Sequence, residues 1–291
     1  MSSALGLIAG EGIFPLLVAQ GAKAAGRQVV CVGFRGSAWP QLQNDVDSFD
    51  WAGVARLGKW FRVLKRHGVT EAIMVGRVSK ARLNDSPLVM LRNLPDMRAV
   101  RLWWTVLRKD NRPQTVLTAM IELFASEGIA LIDSTQYCKE HLATPGVMTR
   151  HQPTAEQRED IQYGWERCNA ISRLDIGQAI AVLKRDVVAV EALEGTNAMI
   201  ERAGTLSRAG GWTCIKVSNK NRDMRLDVPT IGLITIEKLH AARAACLVLE
   251  PGKTIMLEKP KVIELADKYR IAIIGYESAK VDDQNSVTPC G

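Results

Sequence analysis

Apolar positions along the chain follow two alternating patterns. Short unbroken runs, "ALGLIA" at Ala4 to Ala9 and "QVVCVGF" at Gln28 to Phe34, read as strands buried on both faces, as in a covered parallel sheet. Between them "GEGIFP" turns into a helix. Pro15 suits its first turn, Leu16, Leu17, Gln20 and Ala24 are spaced along it, and Gly26 closes it. Farther on, Leu57, Trp60, Phe61 and Leu64 share one helical face that stops at Gly68, and "EAIMVG" is the next strand. Two more helices, "DMRAVRLWWTVLRK" and "PQTVLTAMIELFASEG", precede the extended "IALID". This order predicts an α/β fold whose N-terminal domain, residues 1–140, is a Rossmann-like doubly wound sheet.

The rhythm then breaks. Residues 141–153 have little periodicity and carry Pro145 and Pro153, so they are expected to form a linker. Thr154 and Gln157 have the spacing of a capping box at the start of a long helix. "GQAIAVLKRDVVAVEAL" reads as two strands folded about Lys184 to Asp186, and the later segments alternate between strand and helix up to "IAIIGY". Residues 154–278 are therefore expected to form a second, C-terminal catalytic α/β domain, followed by a loose tail at 279–291.

Composition narrows the class. Of the 291 residues 47% are hydrophobic and 24% charged, which suits a globular chain, and the formal net charge is +7. The basic clusters are short and interrupted, and aromatic residues make up only 5%, so no nucleic-acid surface of interleaved basic and stacking residues emerges. Six scattered cysteines lack CxxC spacing, and four histidines show neither HxH nor HExxH, which argues against a disulfide framework or a zinc site. With no signal core and no apolar stretch of ~18 to 20 residues, the expected location is the cytoplasm.

Two places invite chemistry. Gly10 and Gly12 sit in a βα turn that resembles part of a dinucleotide-binding loop, but Pro15 replaces the third glycine and Glu11 brings a negative charge. The second place lies in the C-terminal half. "DIGQ", with Asp175 and Gln178, is expected to open the first strand of that domain, and "EGTN", with Gly195, Thr196 and Asn197, ends its hairpin partner at a helix N-terminus. The polar segment "KVSNKNRDMRLDVPTIG" adds Lys216, Asp223, Arg225 and Asp227. Carboxylates are oxygen ligands for Mg²⁺, cations bind phosphate, and helix amides can receive an oxyanion. A solvated loop with Asp223 and Arg225 screening one another, and an Asn197 that merely caps a helix, are the alternatives.

At these residues the chain resembles the LpxI-type UDP-2,3-diacylglucosamine pyrophosphatases of lipid A biosynthesis. The resemblance is carried in order by "LGLIAGEGIFPLLVAQGAKAAGR", "GVMTRHQPTAEQREDIQYG", "LDIGQAIAV", "VAVEALEGTNAMIERAG", "DMRLDVPTIG" and "LEPGKTIMLEKPKVIELADK". It implies two α/β domains and hydrolysis of UDP-2,3-diacylglucosamine to UMP and 2,3-diacylglucosamine 1-phosphate (lipid X), with water attacking the phosphorus attached to the sugar. It implies Mg²⁺ or Mn²⁺ as cofactor, Asp227 as the leading catalytic or metal-binding carboxylate, and Asp223 as its companion. Lys216 and Arg225 would stabilise the departing charge. The expected partners are the substrate or lipid X, held in an apolar cleft between the domains, an anionic membrane surface in transient peripheral contact, and a second copy of the chain. The sequence departs from the pattern at Asn197, where an aspartate is expected, at Glu11, and in "SNKNRD". A non-catalytic homologue that binds a lipid or nucleotide sugar is the alternative.

Overall fold

The structure is a computed structural model that describes residues 4–78, 94–110, 113–218, 225 and 228–277. The chain divides into two compact units, one of Met1–Leu142 with Lys220–Thr230 and the other of Ala143–Asn219 with Ile231–Gly291. Arg225 groups with the first unit, so the second unit is not one continuous stretch. The tail expected at 279–291 lies outside the described residues.

The first unit is built from β1 (Leu5–Ala9), α1 (Phe14–Ala24), β2 (Val29–Phe34), β3 (Ser48–Ala52), α2 (Leu57–Arg66), β4 (Glu71–Val75), α3 (Met97–Leu102), α4 (Pro113–Ser126) and β5 (Ala130–Leu131). Its sheet has the order β3-β2-β1-β4-β5, with every pair parallel. Side chains of a strand alternate between faces. Ile8, Val30, Val32 and Phe34 accordingly pack with Trp60, Phe61 and Leu64 of α2 and Phe124 of α4. Phe61 and Phe124 meet edge to face at 4.9 Å, worth about 1 kcal/mol beyond the area they bury. Val18, Ala19 and Ala22 of α1 are fully buried, and this helix covers β1 and β2. Gly26, at φ +76, ends α1: its amide donates to Lys23 O, and the Arg27 amide donates to Ala22 O. The doubly wound reading is thus correct, with the strand order reversing between β1 and β4.

The second unit contains β6 (Gly146–Val147), α5 (Ala155–Arg173), β7 (Ala179–Leu183), β8 (Asp186–Val190), α6 (Thr196–Leu206), β9 (Thr213–Lys216), α7 (Leu233–Ala241), β11 (Cys246–Leu249), β12 (Ile255–Met256), α8 (Lys259–Lys268) and β13 (Ala272–Gly275). β10 (Thr230–Ile231) lies at the division between units, and its Ile231 carbonyl accepts from the Leu257 amide after β12. The main sheet runs β6-β13-β11-β9-β7-β8. β9, β11 and β13 are parallel, while β6, β7 and β8 join antiparallel.

Alternation again assigns the faces. Ala179, Ala181, Cys214, Leu247 and Ile273 meet α6, α7 and α8 through Met199, Ile236 and Val262. Ile180, Val182, Ile215 and Val248 meet α5 through Ile161, Trp165 and Cys168. The capping box of α5 is present: the Gln157 amide donates to Thr154 Oγ1 at 3.2 Å, and the Thr154 amide donates to Gln157 Oε1 at 2.9 Å. Lys184 and Arg185, at φ 52 and 58, form the tight turn between β7 and β8.

Residues 141–153 do not behave as a linker throughout. β6 adds to the edge of β13, and Thr149 Oγ1 accepts from the Ile273 amide at 2.9 Å, which fixes this segment to the C-terminal sheet. The described cysteines are all reduced and buried, and burial pushes the Cys214 and Cys246 thiols up to about 12, so they act as small hydrophobes. Among the described residues no helix is long and apolar enough to cross a membrane.

Candidate active site

In the first unit, the glycine turn sits where a doubly wound sheet opens a ligand crevice, at the C-terminal ends of β1 and β4. Backbone pairing closes it. The Gly10 amide donates to Val75 O at 2.8 Å, the Glu11 amide donates to Arg77 O at 2.7 Å, and the Arg77 amide returns a bond to Glu11 O at 3.0 Å. A Cβ on Gly10 would fall 2.6 Å from Arg77 O, so glycine is needed there for one backbone to pass against another. The Gly10 and Glu11 amides are therefore consumed by a bridge and do not receive a pyrophosphate. Gly12, at φ +108, makes the turn into α1.

The second unit brings more together. β7 runs opposite to β9, so the start of β7, the end of β8 and the ends of β9 and β11 lie on one edge of the sheet. Ala179 stands across from Lys216, and Lys216 across from Leu249. On this edge Lys216 Nζ donates to Thr196 Oγ1 at 2.9 Å, and the Thr196 hydroxyl donates to Glu191 Oε1 at 2.8 Å. The other Glu191 oxygen accepts from the Gln178 amide at 3.3 Å. Glu191 and Lys216 are both buried, so each charge is held in a setting where its partner counts for more than in water. Gly177 makes the approach possible, because a Cβ there would fall 1.9 Å from Glu191 O.

Beside this chain of contacts, buried Glu250 follows β11. Its carboxylate accepts from the Ser218 amide at 2.8 Å and from Lys253 Nζ at 2.6 Å. Gln178 Oε1 is buried with no hydrogen-bond partner among the described residues, an orphan acceptor or, with the amide flipped, an orphan donor on the same edge. The turn into α6 is fixed by Gly195, its N-cap at φ 82, and by Glu194, whose carboxylate pairs with Arg202. Hydrogen bonds from its own backbone and from Arg202 hold the Glu194 carboxyl below the usual range. The first-turn amides of α6 have no intrahelical acceptor, and with the helix dipole they favour an anion at this end.

The predicted residues fare unequally. Gln178, Gly195, Thr196 and Lys216 are brought together. Asn197 is the second residue of α6 and not its cap, a place taken by Gly195. Asp175 does not open β7. At φ 56 it stops α5, the Ile176 amide donating to Ile171 O and the Asp175 amide to Ser172 O. Arg225 belongs to the other unit, and Asp223 and Asp227 lie outside the described residues. Glu191, Ser218, Glu250 and Lys253 were missed. A legible signal existed for the two carboxylates, each of which follows an apolar strand directly, in "VVAVE" and "CLVLE".

Among the described residues no group of three or more His, Cys, Asp or Glu side chains is placed to hold a metal ion. Glu191 and Glu250 each already face a hydroxyl, an amide or an ammonium. What the described edge can do is bind an anion next to positioned carboxylates.

Residues 4–141 match the family model described as the LpxI N-terminal domain, and residues 144–274 match the one described as the LpxI C-terminal domain. The chain is similar to UDP-2,3-diacylglucosamine pyrophosphatase LpxI of Caulobacter vibrioides, 30% identical over 285 residues that cover 94% of this chain and 97% of the relative. Among solved structures, the biotin carboxylase domain of a single-chain bacterial carboxylase matches 62% of this chain and 37% of that one, at 14% identity. Its TM-score of 0.23 is too low to support an argument about architecture.

Proposed function

The chain belongs to the LpxI family, and on that premise we propose that it hydrolyses the pyrophosphate of UDP-2,3-diacylglucosamine to UMP and 2,3-diacylglucosamine 1-phosphate. The observation that carries the reading is the buried Lys216–Thr196–Glu191 chain beside the α6 N-terminus. A diphosphate needs positive charge and oriented donors, and this edge has both.

Lys216 and the first-turn amides of α6 take phosphate oxygens. Glu191 acts through Thr196 as a positioning residue, holding the hydroxyl and through it the ammonium. Gln178 offers its orphan side-chain amide to the substrate. A water oxygen bonds to the phosphorus attached to the sugar, the bond from that phosphorus to the bridging oxygen breaks, and UMP leaves. Lys216 offsets the charge that develops on the bridging oxygen. The exposed Leu174, Ile176 and Leu193, each within a few residues of Gln178 or Glu191, offer apolar contact to acyl chains.

Asp223 and Asp227 are the residues proposed to hold Mg²⁺, since Glu191 and Glu250 already face other groups. When bound, such an ion neutralises phosphoryl charge and lowers the pKa of a coordinated water. Transient contact with an anionic membrane and pairing with a second copy belong to the same reading. The test is UMP release from the diacylated substrate with a chelator and again after Mg²⁺ is restored. Release that stops and then resumes is expected. Release indifferent to the chelator would remove the metal from the account.

A further inference from the structure

Helix α3 is apolar on two sides. Ala99 and Leu102 pack on the core of the first unit, but Met97 (82% exposed), Val100 (41%), Trp103 (50%) and Trp104 (60%) face outward. The helix continues through Trp103–Leu107 as a π turn, in which the Arg108 amide donates to Trp103 O at 2.8 Å. A turn of this kind holds an extra residue, so two tryptophans in succession can both remain on the outer side. Single exposed apolar residues are ordinary, whereas four on one short helix mark a surface that something covers.

Charge identifies the cover. Arg101, Arg108 and Lys109 are exposed around the tryptophans, and Arg108 lies over the Trp104 ring at 4.4 Å. The two acidic side chains between residues 94 and 110 make bonds within the protein. Asp96 accepts from the Gly58 and Ala99 amides, and Asp110 accepts from the Thr115 hydroxyl. Along residues 94–110 the outer face is thus tryptophan and aliphatic at its centre, with the cations of Arg101, Arg108 and Lys109 beside it. A second copy meeting it isologously would set these cations against their own equivalents. Tryptophans at headgroup depth with arginines beside them fit the interface of a bilayer that carries anionic lipid.

We infer that the outer face of α3 and its π turn docks the protein on an anionic lipid surface. This inference deepens the membrane contact of the proposed function by naming its surface, and its test contains no substrate, so its failure is distinct from failure of the hydrolytic reading. Full-length protein is floated with vesicles of phosphatidylcholine alone and with vesicles holding about one-third phosphatidylglycerol, with and without added salt. Binding is expected to the anionic vesicles, to weaken with salt, and to fall roughly tenfold in Trp103→Ala/Trp104→Ala. Arg101→Glu, a charge reversal on an exposed side chain, is expected to weaken it at least about fivefold. If both variants float as the parent does, the face is not the docking surface. Equal binding to neutral vesicles, or a dimer without vesicles that the tryptophan variant dissolves, would also overturn the inference.

Discussion

Lys216 is the side chain on which the proposed chemistry turns. It is a buried ammonium bonded to a hydroxyl that is itself held by Glu191. Lys216→Met keeps the length of the side chain and removes the charge. Turnover is expected to fall about 100-fold, the scale of a lost electrostatic contact in a protected site, with the circular dichroism of the folded chain retained. Steady-state kinetics check it, and a KM change alone would reduce Lys216 to ground-state binding. Sequence alone pointed to Lys216, Thr196 and Gly195, because a glycine and a hydroxyl before a helix have few other reasons to follow a strand. Glu191 and Glu250 were missed although each directly follows an apolar run, since a carboxylate at a strand end looks like any other polar boundary until the register of the sheet sets it beside a lysine. Asp175 was expected to open a strand, and its backbone conformation makes it a helix stop.

At the scale of elements, Glu127 joins three helices. It lies just past α4, is paired with Lys65 of α2 at 2.6 Å, and is bonded to Arg98 of α3. The Lys65 hydrogen bond is the main cause that lowers the Glu127 carboxyl, opposed by burial and assisted by the charge of Arg98. A carboxyl lowered in the folded state contributes stability above its unfolded value, and this is lost as pH falls through the folded one. Glu127→Gln should therefore lower stability near neutral pH, by less than about 1 kcal/mol because the lysine and arginine are solvent-screened. The deficit should vanish in acid, and thermal melts across the acidic range check it. Most elements were legible because each has a local cause: the capping box of α5, the glycine stop of α1, the apolar alternation of the strands. The π turn was not, since its extra residue depends on i to i−5 backbone bonds that no spacing of side chains announces. Strand β6 was hidden for a related reason, as two residues on a sheet edge carry no periodicity.

For the whole molecule, the order of the motifs is informative beyond any one of them. The matches at 4–141 and 144–274 meet the division at Leu142 and Ala143, so both units carry the family pattern. The alternating strands and helices made both sheets legible. The grouping of Arg225 with the first unit was not, because the return of a chain segment to an earlier domain leaves no mark in local composition. The claim that this chain splits a lipid-bearing nucleotide sugar is tested most directly by incubating the purified full-length protein and its Asp227→Ala variant with UDP-2,3-diacylglucosamine and Mg²⁺, and separating the products. The intact chain should yield equal amounts of UMP and 2,3-diacylglucosamine 1-phosphate, with the folded variant slower by about 100-fold or more. Intact substrate after prolonged incubation with the parent chain, or the same product yield from the variant, would contradict the account.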